Sequence, residues 1–153
     1  MRFEQGEPDF AARIKYQCEI QSTDDDKIQF VDKILRMLST EYKASHNVEE
    51  IKLRLCLDEA LTNAIQHGNK NDPQKKIQIK LLIDDQNLGF AIKDQGEGLK
   101  QENLPDVSDW EFLEKSENGR GLMLIENIVD DLTYFTNSKE LVFTFRIKSK
   151  ISE

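Results

Sequence analysis

Apolar and polar residues alternate over residues 14–20, which predicts a half-buried strand early in the chain. A run of apolar residues at helical spacing then predicts an amphipathic helix over residues 24–43. Its start is marked by Thr23 and by an acidic first turn, both typical of a helix N-terminus. A second helix is predicted over residues 48–67, and Gly68 is expected to end it.

The second half of the chain predicts two hairpins and one more helix. Residues 77–83 and 88–92 alternate as antiparallel partners, and residues 134–136 and 141–147 form the second pair. A third helix is predicted from near Gly121, with one apolar face built from Leu122, Ile125, Val129 and Leu132. Helices and hairpins are segregated, so the fold class is α+β: a two-layer α/β sandwich of mixed or antiparallel sheet with helices on one face. We expect residues 1–153 to form one domain.

Charge narrows the possible ligands. The chain has 153 residues, a mean hydropathy of −0.62 and a formal net charge of −8. Such an acidic chain is a poor candidate for direct nucleic-acid binding or for anionic membranes, because both depend on positive charge. A polyanionic ligand such as a nucleotide would need oriented backbone N–H groups, a helix N-terminus or a divalent cation.

Neither a membrane span nor a secretory signal is expected from the sequence. Uninterrupted apolar runs fall far short of the roughly 20 residues that cross a bilayer. The first ten residues include Glu4, Glu7 and Asp9, which are foreign to a signal peptide. We therefore expect a cytoplasmic protein in which Cys18 and Cys56 are reduced.

The second predicted helix carries the first candidate for chemistry. Glu59 and Asn63 are four residues apart and so lie on one helix face, beside the apolar stripe. A carboxylate there could act as a general base, and a carboxamide oxygen could bind Mg²⁺. The same pattern also fits a solvated helix edge, and this alternative stays open for the motif alone.

The second candidate follows the strand that ends at Lys93. Asp94 is placed to accept a hydrogen bond, and Gly96 and Gly98 allow a ligand to approach the backbone closely. The spacing fits neither a calcium-binding EF-hand loop nor a dinucleotide-binding fingerprint. An ordinary strand-ending turn is the alternative interpretation.

The third candidate opens the third helix. Its glycines would leave backbone N–H groups facing a phosphate, and its arginine would add one cation. The segment is Gly119, Arg120 and Gly121, followed by Leu122. A flexible loop that ends on a helix is the alternative. No P-loop sequence occurs in the chain, which excludes that class of ATPase.

In this order, the three motifs resemble the N, G1 and G2 boxes of the histidine-kinase-like (GHKL, Bergerat-fold) ATPases. The boxes fall within residues 51–132, and the resemblance extends to about Ile147. Within that superfamily, the segments from His67 to Lys76 and from Gly119 to Leu122 look most like the bacterial anti-sigma-factor serine/threonine kinases of partner-switching systems.

This resemblance implies a role for each box. Asn63 would hold Mg²⁺ on the ATP phosphates, and Glu59 would be the catalytic residue that orients or deprotonates the attacking hydroxyl. Asp94 would accept from the adenine amino group, in a pocket shaped by Gly96 and Gly98. The phosphates would be met by Gly119, Arg120, Gly121 and Leu122. Residues 99–118 would form the ATP lid, anchored by Trp110 and Phe112.

The function implied is an ATP- and Mg²⁺-dependent protein kinase that phosphorylates a small antagonist protein and sequesters a sigma factor. A homodimer is also implied. The alternative is a non-catalytic, ATP-gated protein-binding module with the same fold. A sensor histidine kinase is disfavoured, because His67 lies inside the ATP-site helix and the only other histidine is His46. The chain departs from the family pattern at Met123, where many members have glycine, and at Leu141 and Val142, where many have threonine.

Overall fold

Within the part of the chain that the structure describes, a six-stranded sheet carries three α-helices on one of its faces. The computed structural model describes residues 1–100 and 117–147, and for residues 117–120 it describes the backbone alone. The strands are β1 (Arg2–Glu4), β2 (Ile14–Gln21), β3 (Lys76–Ile83), β4 (Asn87–Lys93), β5 (Asp131–Phe135) and β6 (Glu140–Arg146). The helices are α1 (Asp24–Ser39), α2 (Glu50–Asn63) and α3 (Glu117–Ile128).

The sheet is mixed, with the strand order β1-β5-β6-β4-β3-β2. All its neighbours pair antiparallel except β1, which lies parallel to β5. The predicted α+β class, with a mixed sheet and helices on one face, is therefore confirmed. The hairpins predicted at β3–β4 and at β5–β6 are also present.

One large core joins the helices to the sheet. It contains Ile34 and Leu38 from α1, Leu57 and Leu61 from α2, and sheet residues that include Phe90 and Phe143. The opposite face of the sheet holds a much smaller cluster, formed by Phe10, Leu82, Ala91 and Val142. Both free cysteines are reduced thiols, as expected, and Cys56 is fully buried in the main core.

Helix α1 ends at Ser39, four residues before the predicted end at residue 43. The hydroxyls of Ser39 and Thr40 both donate to the carbonyl of Arg36, at 3.0 and 2.8 Å. Such side-chain hydrogen bonds compete with the helical pattern. The N-terminus agrees with the prediction, because Thr23 Oγ1 accepts from the backbone N–H of Asp26 at 3.1 Å.

Helix α2 passes into a single π-helical turn, Ala64–Gly68, where the N–H of Asn69 donates to the carbonyl of Ala64 at 2.8 Å. Gly68 is the last residue of this turn, so the helical segment ends where the sequence predicts. Lys70 and Asn71 are the left-handed residues, with φ of 53° and 59°. A π-helical turn widens the helix, and such turns are frequent at functional sites.

Two predicted boundaries around α3 are corrected by the structure. The helix begins at Glu117 rather than near Gly121, so the Gly119 to Gly121 segment lies within its first turns. Leu132 lies in β5 rather than on the helix, and β5 begins at Asp131, three residues before the predicted strand. Strand β1 was absent from the predicted elements, because its three residues show no periodicity.

Candidate active site

A cavity of about 510 Å³ opens between helices α2 and α3 and the sheet ends of β4, β5 and β6. It is large enough for a small-molecule ligand. Five of the residues singled out from the sequence line it: Asn63, Asp94, Gly96, Gly98 and Leu122. Motifs that are far apart in the sequence therefore meet in one place.

Asp94 lies at the end of β4 on the cavity wall. One of its carboxylate oxygens accepts from the backbone N–H of Gly96 at 2.8 Å, which fixes the side chain across the turn. Burial raises the pKa of this carboxyl, although the Gly96 hydrogen bond and the charges of Lys139 and Lys75 partly oppose that effect. The carboxylate is thus a partly desolvated acceptor, which suits recognition of an amino group.

Gly68 explains why Asp94 can sit so close to the end of α2. A Cβ at Gly68 would overlap the Asp94 carboxylate, so only glycine leaves room for it. A Cβ at Gly96 would in turn overlap the carbonyl oxygen of Gly68. The end of α2 and the turn after β4 therefore pack backbone against backbone.

Gly98 is the described glycine with a left-handed backbone, at φ +93°. A Cβ there would lie 2.7 Å from the hydroxyl oxygen of Tyr134, which is itself on the cavity wall. Gly98 therefore allows the chain to turn sharply over β5 as it leaves the pocket.

Glu59 and Asn63 lie on one face of α2, as their spacing predicts, and that face meets the first turns of α3 at Gly121. A Cβ at Gly121 would lie 2.9 Å from Glu59 Oε2 and 2.9 Å from Asn63 Nδ2. The missing side chain of Gly121 thus lets α3 approach this pair closely. A backbone N–H this far into a helix normally bonds within the helix, so the N–H of Gly121 is not free for a phosphate. What Gly121 contributes here is space.

Asn63 Nδ2 is buried and has no hydrogen-bond partner among the described residues. A buried polar atom of this kind usually has a ligand, ion or water as its partner. An amide beside a carboxylate also offers the oxygen ligands that Mg²⁺ prefers. The pair therefore fits a Mg²⁺-bound phosphate. Within residues 1–100 and 117–147 no cluster of three or more His, Cys, Asp or Glu could hold a metal on its own.

Gly119 lies in the first turn of α3 that the structure describes. Leu122, three residues further along, is 6% exposed and lines the cavity. The side chain of Arg120 lies outside the described residues, as does most of the expected lid at residues 99–118, including Trp110 and Phe112.

Sequence reasoning missed a group of cations and one aromatic residue. Lys70, Lys75, Lys100 and Lys139 all line the cavity of this acidic protein. They come from three separate loops, after the π-helical turn, after β4 and between β5 and β6, so their convergence had no signal in the sequence. Tyr134 also lines the cavity and is 5% exposed, and it lies in the main core with Leu132, two residues earlier on the same face of β5.

Across the part of the chain that the structure describes, no helix has both the length and the apolar character of a membrane span.

Residues 23–147 match the family model of the histidine kinase-like ATPase domain. Similar proteins include the anti-sigma F factor of Anoxybacillus flavithermus, 30% identical over 95 residues, which are 60% of this chain and 64% of that protein. The anti-sigma F factor of Bacillus subtilis is 30% identical over 108 residues, 69% of this chain and 72% of that protein. That of a Geobacillus species is 33% identical over 87 residues, 55% and 58% of the two chains. The chain thus spans about 58 to 72% of the length of these relatives.

Proposed function

The chain belongs to the histidine kinase-like ATPase domain family, and from this premise we propose that it is an ATP-dependent serine/threonine protein kinase. Its substrate is a small antagonist protein, and in its other state it sequesters a sigma factor. The meeting of Asp94 and Asn63 in one cavity, with Glu59 beside Asn63 at Gly121, supports this proposal most strongly. The relatives named anti-sigma F factor support the choice of partners.

Adenine recognition falls to the turn after β4. The Asp94 carboxylate accepts from the adenine amino group, and the absence of side chains at Gly96 and Gly98 leaves the pocket open to the base. Tyr134 and Leu122 supply apolar contact for the ring. Selectivity for adenine follows, because a 6-oxo base would present an acceptor to this carboxylate.

The N-terminal end of α3 and the surrounding cations bind the phosphates. Gly119 contributes its N–H at the positive end of α3, and Arg120 adds a cation from the same turn. The positive charges of Lys75 and Lys139 lie close enough to Asp94 to lower its pKa. They also reduce the repulsion between this acidic protein and a polyanion. Mg²⁺ held by Asn63 would neutralise phosphate charge when bound.

Glu59 acts on the acceptor hydroxyl. Its Oε2 takes the proton of the incoming serine or threonine as the new oxygen–phosphorus bond forms and the bond to the ADP oxygen breaks. Glu59 and Asn63 face the same glycine of α3, Gly121. The end of this helix would therefore hold the phosphate beside the carboxylate of Glu59, which acts as the general base. Positioning and charge neutralisation supply most of the catalysis in such transfers.

The test uses the full chain with labelled ATP, Mg²⁺ and a candidate antagonist protein from the same source. We expect an acid-stable phosphoester on a serine or threonine of the antagonist. Calorimetry that shows no binding of Mg-ATP would overturn the proposal. Tight nucleotide binding without any transfer to the antagonist would instead favour the non-catalytic switch module.

We place the protein in the cytoplasm, where ATP and sigma factors are both present. Assembly as a homodimer also belongs to the proposal, by resemblance to the family. Sedimentation equilibrium tests it directly, with twice the 17.8 kDa chain mass expected.

A further inference from the structure

Asn69 is a fully buried polar residue immediately after the π-helical turn, with 0% of its surface exposed. Its side-chain Nδ2 donates to Ser22 Oγ at 2.6 Å and to the carbonyl of Lys76 at 3.1 Å. Its Oδ1 accepts from the backbone N–H of Gln95 at 2.7 Å. One side chain therefore joins three segments that are distant in the sequence.

Each of these partners is itself held in place. Ser22 Oγ donates to the carbonyl of Lys75 at 2.8 Å, and the backbone N–H of Lys76 donates to Gln95 Oε1 at 2.7 Å. The start of α1, the entry to β3 and the turn after β4 thus form one closed hydrogen-bond network around Asn69. Such fully satisfied buried networks specify a single arrangement of the backbone.

Gln95, whose backbone N–H donates to Asn69 Oδ1, is the residue directly after Asp94. Gly68, the residue before Asn69, packs on the Asp94 carboxylate, and the Gly96 N–H bonds that carboxylate from the other side. The orientation of Asp94 therefore depends on where Asn69 holds the backbone at Gln95.

We propose that Asn69 is a positioning residue for base recognition: it holds the Gln95 backbone so that the neighbouring Asp94 carboxylate points at the adenine amino group. This inference rests on the proposed function. Asn69 touches no substrate in it and acts through the Asp94 turn alone.

The experiment is calorimetric titration of the full chain with ADP and with inosine diphosphate, both with Mg²⁺. Inosine has an oxygen where adenine has its amino group, so the ratio of the two affinities reports the Asp94 contact. In Asn69→Ala we expect the preference for ADP to fall about tenfold, because a hydrogen bond to a charged group is lost or misaligned. The affinity for inosine diphosphate should stay within about twofold of wild type.

A purely structural role for Asn69 predicts a different pattern. Both affinities would then fall by the same factor, or neither would change, and either result overturns the proposal. Ile34→Val is the matched control, because it lowers stability from the core of α1, and it should leave the ratio of affinities unchanged.

If Asn69→Ala fails to fold, Ser22→Ala decides the question. It removes one of the two acceptors of Asn69 Nδ2 and should reduce the preference for ADP about threefold. An unchanged preference in a folded Ser22→Ala protein contradicts the proposal. A wild-type protein that binds neither nucleotide overturns the proposed function itself, which separates the two failures.

Discussion

At Gly121 a missing side chain decides how closely α3 approaches the pair Glu59 and Asn63. Both side chains have an atom 2.9 Å from the place where a Cβ would be. That distance is shorter than real Cβ contacts, so any larger residue must push the helix or the pair aside. The position therefore requires glycine because of packing, and not because of backbone conformation.

Gly121→Ala should weaken binding of Mg-ATP and slow phosphoryl transfer at least about tenfold, since overpacking of this kind costs about 1–3 kcal/mol. Calorimetry and the labelled-ATP assay measure the two effects. Gly6→Ala is the matched control, because nothing lies within 4 Å of a Cβ at that position. Equal activity in both variants would contradict the packing that we describe around Glu59.

Asp94 should make nucleotide binding dependent on pH. Burial raises its pKa, so the folded protein binds this proton more tightly than the unfolded chain does. Lowering the pH through that raised pKa therefore favours the folded state, while it removes the acceptor for the adenine amino group. We expect ADP affinity to fall as the pH is lowered from neutral into the acidic range, and to begin falling at a higher pH than an ordinary aspartate would cause.

Calorimetry across that pH range checks the expectation. Glu97→Gln and His67→Gln are the controls, since both residues line the cavity and both variants should keep the wild-type pH dependence. Loss of the dependence in His67→Gln would assign it to the histidine instead. Asp94→Asn should abolish binding at every pH.

At the scale of elements, the helices and strands that have local sequence signals were predicted well. Those that depend on pairing or packing with distant segments were not. Helix α1 begins where Thr23 and the acidic turn indicate, and the β3–β4 hairpin follows its alternation. Strand β1 could not be predicted, because its three residues become a strand only by pairing with β5, more than 120 residues later. The start of α3 was missed for a related reason: Gly119 and Gly121 have low helix propensity, which tertiary packing against α2 overrides.

The candidate site divides in the same way. Motif spacing singled out Glu59, Asn63 and Asp94: Asn63 and Asp94 line the cavity, and Glu59 lies beside Asn63 at Gly121. The network around Asn69 and the ring of lysines depend on loops that meet only in the folded chain. No periodicity or motif in the sequence predicts either of them.

The cap of α1 offers a test of stability at this scale. Thr23→Ala removes the acceptor for the Asp26 N–H and should lower the free energy of unfolding by about 1 kcal/mol. Urea denaturation followed by circular dichroism measures it. Thr40→Ala changes the same residue type at the other end of the helix, outside the N-cap, and should cost less than half as much. Equal losses would show that the cap has no special role.

On the scale of the whole molecule, charge is distributed unevenly. The chain has a net charge of −8, yet Lys70, Lys75, Lys100 and Lys139 gather at one cavity. These four lysines outnumber the carboxylates of Asp94 and Glu97 in the cavity lining, so its formal charge is opposite in sign to that of the whole molecule. An anionic nucleotide is attracted at short range, while the acidic remainder favours a partner protein with a basic surface.

Cys56 reports on opening of the whole core. It is fully buried, and burial raises the pKa of its thiol to about 12. In Cys18→Ser, which leaves Cys56 as the remaining thiol, a disulfide reagent at about pH 8 should react only as fast as the protein unfolds. Saturating Mg-ADP should slow this labelling further, because it stabilises the folded state. Rapid labelling of the native protein would contradict the buried core.

We propose that Glu59 takes the proton of the acceptor hydroxyl while the neighbouring cavity binds ATP. Single-turnover transfer of labelled phosphate to the antagonist protein, compared between wild type and Glu59→Gln, tests it most directly. We expect Glu59→Gln to bind Mg-ATP within about twofold of wild type and to transfer phosphate about 10²–10⁴-fold more slowly. Transfer by Glu59→Gln at the wild-type rate would contradict it.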